Sequence, residues 1–276
     1  MILIDMSQIL FASASMSMKS GKADINIIRH MTLNSLKKYR KEYFDEYGEL
    51  VICCDGKHSW RREFFPQYKA ARKSGRETSS VDWSEVFEIF NQLKNEIKEN
   101  FPYRVIHVDT AEADDIIGTL VLRGREEGEK TLIISSDKDF IQLQMNDNVY
   151  QYSPITKKFL NGVDPNEYLK EHILRGDKGD GIPNVLSDDN VIVDRIRQTP
   201  ITKKNLEVWM EGSLPKEHAE RHERNTELID LRYTPWHLQN TILEQKKSKP
   251  IGNRNRLPSY FTEHKLEVLS NHINDF

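Results

Sequence analysis

Short apolar runs alternate with longer amphipathic segments through the N-terminal half of the chain. Four runs rich in Ile, Leu and Val predict β-strands, at residues 2–4, 50–54, 103–108 and 130–135. Three longer segments carry apolar residues at helical spacing and predict α-helices, at residues 24–47, 82–100 and 111–127. Because strands and helices alternate, we predict an α/β fold with a mostly parallel central sheet flanked by helices.

The pattern changes at about residue 164, after which one helical segment follows another. Turns rich in Gly and Pro interrupt these segments, among them "RGDKGDGIPN" at 175–184. We therefore predict an α/β core over residues 1–163 and a helical C-terminal region over residues 164–276. A long polar insertion at residues 56–80, after the second strand, belongs to the core, and we name it the arm.

The composition excludes a membrane-spanning or disulfide-stabilised protein. Charged residues make up 30% of the 276 residues, mean hydropathy is −0.66, and no apolar run approaches the roughly 18 residues of a membrane span. The first residues, "MILIDMSQ", lack the basic leader of a signal peptide. Cys53 and Cys54 are neighbours and poorly placed to pair with each other. We therefore expect a cytoplasmic protein that does not bind membranes. We also expect it to be a monomer.

Acidic residues follow three of the predicted strands at the points where the strands end. Asp5 comes directly after the first strand, Asp55 after the second, and Asp137 and Asp139 after the fourth. In open α/β sheets, the carboxyl ends of the strands form the edge where ligands bind. Asp137 and Asp139 are two residues apart, so an extended backbone directs both side chains to one side. The sequence therefore predicts an acidic site at this edge.

Five further acids are predicted to lie along the same edge. They are Glu112, Asp114 and Asp115, which open the helix after the third strand, and Asp177 and Asp180 in the Gly-rich turn. Nine carboxylates cannot all be ionised in one crevice without cations to neutralise them. Oxygen ligands favour Mg²⁺ or Mn²⁺, and no cysteine–histidine cluster competes for the metal. Two such ions about 4 Å apart can activate a water molecule and stabilise the leaving oxygen of a phosphodiester.

Each acidic feature also has a simpler structural explanation. The helix dipole stabilises acids in a first turn, and Thr110 is positioned to cap this helix. A single Asp after a strand is usually a turn former. A helical projection places Glu112 and Asp114 beside the apolar face of their helix and Asp115 farther from it. The metal-site hypothesis therefore depends on five separate features falling at one edge of the sheet.

The arm is basic, although the whole chain carries a net charge of −3. Over residues 56–77, seven cations stand against two acids, with aromatic residues between them. The cations are Lys57, Arg61, Arg62, Lys69, Arg72, Lys73 and Arg76, and the aromatic residues are Trp60, Phe64, Phe65 and Tyr68. Cations contact phosphates and aromatic rings stack on unpaired bases, so the arm is predicted to guide a nucleic-acid substrate.

The alternative for the arm is a solvated amphipathic helix whose aromatic residues pack on the core. We expect such core packing for Trp60, Phe64 and Phe65. For Lys69 and Arg72, which are three residues apart on one helical face, we expect phosphate contacts instead.

Six short motifs occur in the order found in 5′-nucleases of the flap-endonuclease superfamily, which the chain resembles over essentially its whole length. They are "LID" with Asp5, "CDG" with Asp55, "PQYKAAR", "EADD", "SSDKDF" and "GDKGDGIPNV". The superfamily includes the 5′-nuclease domain of bacterial DNA polymerase I and phage 5′–3′ exonucleases. The "WRR" after "DGKHS" and the closing "LSNHINDF" most resemble the branch found in T-even-type phages.

This resemblance implies a PIN-like 5′-nuclease core and a divalent-metal-dependent hydrolase. Such enzymes cleave phosphodiester bonds at the 5′ ends of RNA–DNA hybrids and of nicked or flapped duplex DNA. In phage DNA replication they remove RNA primers from lagging-strand fragments, and all three kinds of substrate stay open here. Replication suggests the single-stranded-DNA-binding protein and the sliding clamp as partners, although neither terminus carries a Gln-led, double-aromatic clamp-binding motif.

The resemblance also implies roles for individual residues. The first metal site would consist of Asp5, Asp55, Glu112 and Asp114. The second metal, or its waters, would be held by Asp115, Asp137, Asp139, Asp177 and Asp180. All of these acids except Asp177 and Asp180 are implied in catalysis. Three kinds of contact with nucleic acid are implied. Tyr68 would stack on a base, and the cations Lys69 and Arg72 would act in catalysis. Arg61, Arg62 and Lys73 would contact the sugar–phosphate backbone of the nucleic acid.

Residues 164–198 resemble the family's helix–hairpin–helix element, in which backbone N–H groups grip duplex phosphates, often with a K⁺ ion. Gly179 and Gly181 would supply those groups here. The family continues with a second Gly-Ile-Gly hairpin and a lysine, whereas residues 184–195 have neither and carry Asp188 and Asp189. The sequence therefore does not decide whether a K⁺ ion binds at this element.

Two rival functions share the acidic site. A toxin-like, PIN-type ribonuclease has a similar pocket, but such domains are far shorter and need neither the arm nor the helical region. A non-catalytic protein that binds branched DNA would be expected to lack some of the acids, yet all nine positions are present. The sequence therefore favours a nuclease.

Overall fold

A six-stranded sheet forms the centre of this computed structural model, which describes residues 1–19, 22–145 and 147–276, and only the backbone of residues 73, 74 and 77. The strands are β1 (Ile2–Asp5), β2 (Leu50–Cys54), β3 (Arg104–His107), β4 (Thr131–Ile134), β5 (Val149–Ser153) and β6 (Lys158–Phe159). Their order is β3-β2-β1-β4-β5-β6; β1 to β5 run parallel, and β6 pairs antiparallel with β5. The predicted mostly parallel sheet is confirmed.

Helices cover both faces of the sheet. They are α1 (Met6–Met18), α2 (Ile25–Tyr47), α3 (Trp60–Phe64), α4 (Ala70–Glu77), α5 (Trp83–Asn100), α6 (Ala113–Glu126), α7 (Pro165–Arg175), α8 (Lys203–Met210), α9 (Ala219–Ile229), α10 (Trp236–Lys247), α11 (Leu257–Glu263) and α12 (Glu267–Ser270). Apolar residues of α1, α2, α5, α11 and α12 pack on one face, and those of α6 and α10 on the other. Helices of the C-terminal region therefore contribute to the hydrophobic cores on both faces of the sheet. Within the described residues, no helix has the length and apolar character needed to cross a membrane.

The pairing register brings the carboxyl ends of the central strands to one edge. Strand β1 lies between β2 and β4, with Ile4 opposite Ile52 on one side and Ile134 on the other. Every residue of β1, β2 and β4 is buried, because helices cover these parallel strands on both faces. The residues that follow these strands therefore share one edge, which we call the carboxyl edge.

The predicted strands and helices of the α/β core are confirmed, with their ends shifted by one or two residues. The sequence did not predict α1, β5 or β6. Helix α1 begins at Met6 without a loop, because the side chain of Asp5 ends β1 and caps the helix. Serine and alanine fill much of α1, so a polar–apolar period does not mark it.

The helical C-terminal region is confirmed except between α7 and α8, where the chain forms turns. The helix–hairpin–helix element predicted over residues 164–198 therefore has its first helix but not its second. Side chains compete with helical hydrogen bonds here: Ser187 Oγ accepts from the N–H of Thr199, and Asn184 Oδ1 accepts from the N–H of Leu186.

Candidate active site

Asp5 and Asp55 lie together at the carboxyl edge, at the ends of neighbouring strands. Asp5 is buried and accepts a hydrogen bond from Ser135 Oγ at 2.9 Å. Asp55 accepts from the N–H of Ala113 at 2.8 Å and from the hydroxyl of Ser7, which fix it against the start of α6. Burial raises the pKa of Asp5 to about 7, and the nearby charge of Asp55 adds to this rise.

Glu112 and Asp114 extend this acidic group from the N-terminus of α6. Glu112, rather than Thr110, is the N-cap of the helix. Burial raises the pKa of Asp114 well above its usual range; Lys69 opposes the shift, and the charge of Asp137 reinforces it. Burial would also raise the pKa of Glu112, but the cations beside it, Lys69 foremost, lower it. Asp5 therefore lies near enough to Asp55 and Asp114 for their charges to interact, and Asp114 near enough to Glu112, while Glu112 itself pairs with Lys69.

A second acidic group contains a histidine that the sequence analysis did not single out. His172 on α7 has its Nδ1 atom 3.6 Å from Asp139 Oδ1 and its Nε2 atom 3.4 Å from Asp177 Oδ2. One ligand atom from each of these residues lies within 4.8 Å of the other two, a spacing that one metal ion can span. Burial raises the pKa of Asp139 to about 7, with a contribution from the charge of Asp137. Burial would lower the pKa of His172, but the carboxylates of Asp177 and Asp139 outweigh it and raise that pKa.

The donor atoms of both groups are of the kinds that divalent metal ions accept, and those of Asp139, His172 and Asp177 also have the spacing for one ion. Apart from His172 they are carboxylate oxygens, which Mg²⁺ and Mn²⁺ prefer. The raised pKa values of Asp5, Asp114 and Asp139 show that burial disfavours their charged forms and that neighbouring acids repel one another. Divalent cations between the acids would relieve that repulsion.

Asp115 and Arg61 form a buried ion pair instead of the metal and phosphate contacts that were predicted for them. Asp115 is fully buried and Arg61 is 2% exposed. Two contacts join them, Arg61 Nη1 to Asp115 Oδ2 at 3.0 Å and Nη2 to Oδ1 at 2.9 Å. Asp115 also accepts from Trp60 Nε1 at 3.2 Å and from Thr234 Oγ1 at 2.9 Å. The helical projection missed this because the arm and the C-terminal region cover that side of α6.

Tyr68, Lys69 and Arg72 hold the arm against the acids. The Tyr68 ring is buried, and its hydroxyl lies 2.6 Å from Glu112 Oε2 and 2.9 Å from Asp180 Oδ2, so the ring is not accessible to a base in this structure and the stacking role stays a prediction. Lys69 Nζ lies 2.6 Å from Glu112 Oε1 and 3.4 Å from Asp180 Oδ2, and Arg72 pairs with Asp180. Asp180, predicted for the second metal, therefore binds the arm, while the two predicted catalytic cations lie directly beside the acids.

The Gly-rich turn uses its own amides internally. Asp177 Oδ1 accepts from the N–H groups of Gly179 at 2.7 Å and Asp180 at 3.1 Å, and the N–H of Gly181 donates to Lys178 O at 3.3 Å. Gly181 has a φ of +79°, and a Cβ there would lie 2.8 Å from a backbone oxygen of the arm. Gly179 and Gly181 therefore shape a turn that packs against the arm. Their amides were predicted to contact duplex phosphates, but in this structure they bond within the turn.

The other arm residues divide between core and surface. Phe65 is buried and Trp60 packs partly buried against the core, as expected. Phe64 is 45% exposed, so its predicted core packing is wrong. Arg62 is exposed. The side chain of Lys73 lies outside the described residues.

An open cavity of about 990 Å³ joins the acids to the basic side of the arm. Asp55 and Glu112 line it, as do the cations Lys57, Arg62, Lys69, Arg72, Arg76 and Lys94. Aromatic rings add apolar surface, from Phe11, Phe87 and Phe90. Cations and rings beside carboxylates suit the unpaired end of a nucleic-acid strand.

Two family descriptions together match the chain. Residues 1–173 match the N-terminal, resolvase-like domain of 5′–3′ exonucleases, and residues 165–276 match the C-terminal domain of T4 RNase H. The Ribonuclease H of Enterobacteria phage T4 is 34% identical over 99% of this chain and 95% of its own length. The flap endonuclease Xni of Shewanella sp. strain MR-4 is 32% identical over 49% of this chain and 52% of its own length.

Solved structures of phage T5 nucleases share the fold. The T5 5′-exonuclease with bound zinc ions aligns with a TM-score of 0.62 over 90% of this chain and 97% of its own, at 19% identity. The T5 flap endonuclease in a pseudo-enzyme–product complex with DNA and metal ions aligns with a TM-score of 0.60 over 97% of this chain and 98% of its own, at 18% identity. These likenesses confirm the predicted α/β fold.

Proposed function

We propose that this chain, which belongs to the 5′–3′ exonuclease family of nuclease hydrolases, uses divalent metal ions at the carboxyl edge to cleave phosphodiester bonds near 5′ ends. One observation gives the strongest support to the proposed metal sites. Acids far apart in sequence meet at this edge, close enough that Asp55 and Asp137 raise the pKa of Asp5, and Asp137 and Asp5 raise that of Asp114. Cationic ligands between these acids would relieve the repulsion that raises their pKa values.

The acids would form two groups, each of which binds one metal ion. Asp5, Asp55, Glu112 and Asp114 would hold one ion, and Asp137, Asp139 and Asp177 the other. Bound there, such ions supply a hydroxide nucleophile at neutral pH and stabilise charge on the leaving oxygen. The protein fixes the geometry: Ser135 donates to Asp5, and the amide of Ala113 donates to Asp55, so neither carboxylate rotates freely.

Two cations of the arm are placed to receive the scissile phosphate. Lys69 Nζ lies 2.6 Å from Glu112, and Arg72 pairs with Asp180, so both are within a few ångströms of the acids. A scissile phosphate bound beside the acidic groups would accept hydrogen bonds from these cations. Arg62 and the other cations of the cavity would contact phosphates farther along the strand.

The substrates we propose are RNA–DNA hybrids and duplex DNA with a 5′ flap or nick. The names of the relatives support both kinds, since the phage T4 relative is a Ribonuclease H and Xni is a flap endonuclease. The corresponding role is the removal of RNA primers from lagging-strand fragments during phage DNA replication, in the cytoplasm of the bacterial host. Single-stranded-DNA-binding protein and the sliding clamp would be the partners of a monomer in that role.

Mg²⁺ is the resident ion that we propose, with Mn²⁺ as a substitute. Carboxylate oxygens and water are the ligands that both ions accept. A K⁺ ion at the Gly-rich turn stays a prediction, and the missing second helix of residues 164–198 weakens its support.

The function is tested with 5′- and 3′-labelled primer, flap and nicked duplexes, incubated with and without Mg²⁺ and sized on a gel. We expect cleavage near the 5′ end only with Mg²⁺. Asp5→Asn keeps a good helix cap but loses a metal ligand, and should not cleave. Asp45→Asn, exposed on α2, is the matched control and should cleave normally. Binding of flapped DNA without cleavage by the parent chain would instead support a non-catalytic DNA-binding protein.

A further inference from the structure

The second acidic group contains a nitrogen ligand whose orientation is fixed by packing. His172 lies in the last turn of α7, between Asp139 of the 3₁₀ helix Lys138–Met145 and Asp177 of the following turn. Tyr168, one turn earlier on α7, packs edge-on against the imidazole with 5.5 Å between ring centroids. The ring is therefore held with a nitrogen towards each acid.

The Nδ1 atom of His172 is buried and has no hydrogen-bond partner among the described residues. Its separation from Asp139 Oδ1, 3.6 Å, is too long for a hydrogen bond. Adjacent ligands of one octahedral ion are about 3 Å apart, since each lies near 2.1 Å from the metal. A buried nitrogen at slightly more than this spacing from a carboxylate oxygen is suited to share a cation with it.

We propose that His172 is a ligand of the second metal ion, with Asp139 and Asp177, and that it makes this position select transition ions such as Mn²⁺ over Mg²⁺. The inference rests on the function proposed above. Mg²⁺ takes oxygen ligands and keeps several waters, whereas imidazole nitrogen suits first-row transition ions. The first group offers carboxylates alone and keeps the preference for Mg²⁺. The two positions therefore differ in their relative affinity for Mn²⁺ and Mg²⁺, although Mg²⁺ in excess can occupy both.

The test uses Mn²⁺ alone as the probe. Mn²⁺ is titrated into the full, chelator-treated chain, and bound ions are counted from the loss of the free-ion EPR signal, with and without competing Mg²⁺. His172→Gln removes the nitrogen but keeps a polar side chain, and should weaken one class of Mn²⁺ site at least about tenfold, because even outer-shell partners are worth 10- to 100-fold. His237→Gln, exposed on α10, is the matched control and should change nothing.

Electron-spin-echo modulation of the bound Mn²⁺ reports a coordinated nitrogen directly. The parent chain and His237→Gln should show nitrogen coupling that responds to ¹⁵N-histidine labelling, and His172→Gln should lack it. The measurement on the labelled parent chain does not depend on whether any variant folds correctly. Absence of histidine-nitrogen coupling in the parent, or unchanged Mn²⁺ affinity in His172→Gln, overturns the inference.

Asp139→Asn in the same titration separates this inference from the proposed function. Loss of an ion in Asp139→Asn, with unchanged affinity and coupling in His172→Gln, leaves the metal site standing and makes His172 an ion-pair partner only. If Asp139→Asn also keeps every ion, the proposed second metal site fails and the inference fails with it.

Discussion

The carboxyl edge and the arm contribute opposite charges to one cavity, but different forces position their side chains. At the carboxyl edge, Asp5 is the last residue of β1 and Asp55 directly follows β2, and the hydrogen-bonded register of these parallel strands fixes where each one ends. In the arm, two adjacent residues have opposite surroundings: Arg61 is 2% exposed, whereas Arg62 is exposed and lines the cavity. Sheet topology places the acids, and local packing places the arm residues.

This difference shows why charge alone is a poor guide to function in the arm. Arg61 and Tyr68 look like substrate contacts in the sequence, yet both are buried and bound to acids of the site. They act as braces that fix the arm and the acids relative to each other. The following predictions separate the braces from the groups that meet substrate.

The largest effect is expected on stability, from Arg61→Met. It leaves the buried carboxylate of Asp115 without its cation, and breaking such a pair costs about 3–5 kcal/mol. Arg62→Met, one residue along and exposed, should stay within about 0.5 kcal/mol of the parent. Urea unfolding measures both. Equal stabilities for the two variants would mean that Arg61 is not a brace.

A loss of activity without a loss of folding is expected at the second acidic group. Asp137→Asn and Asp139→Asn should slow cleavage in Mg²⁺ at least about 100-fold, since even outer-shell partners of metal ligands are worth 10- to 100-fold. Fluorescence anisotropy should show that flapped DNA still binds. Normal single-turnover rates in both variants would remove these residues from the site.

A smaller kinetic effect is expected for the cations of the arm. Lys69→Ala combined with Arg72→Ala should slow cleavage of flapped duplexes by about 30-fold, because a hydrogen bond to a charged group is worth roughly 2 kcal/mol. The exposed pair Lys170→Ala and Arg123→Ala is the control, away from the cavity. Flap cleavage at the parental rate would reassign both cations to packing.

The smallest effect is expected for Tyr68→Phe. The change removes the hydroxyl that lies beside Glu112 and Asp180 and should cost about 1 kcal/mol of folding free energy. A ring that stacked on a base would lose nothing on this change, because phenylalanine stacks as well. Unaltered stability in thermal unfolding would therefore favour the stacking role over the brace.

Most of the α/β core could be predicted from the sequence because its parallel strands are continuous apolar runs. The acids Asp5, Asp55 and Asp139 could be predicted as site residues for the same reason, since each follows such a strand. Helix α1 could not be predicted, because no turn separates it from β1: Asp5 ends the strand and also caps the helix.

The residues that prediction misplaced depend on contacts between distant segments. Asp115 is buried because Thr234, far along the chain, reaches across to it. Tyr68 is buried against Asp180 of the Gly-rich turn. His172 was missed because no motif marks it; its position five residues before Asp177, at the end of a helix that leads into the acidic turn, was the available signal.

Anomalous diffraction from crystals of the full chain soaked in Mn²⁺ tests the convergence of the acids on metal ions most directly. We expect anomalous peaks bonded to carboxylate oxygens of both groups, one among Asp5, Asp55, Glu112 and Asp114 and one beside Asp139 and Asp177. An absence of peaks at the carboxyl edge, at a Mn²⁺ concentration that supports cleavage in solution, would contradict the account.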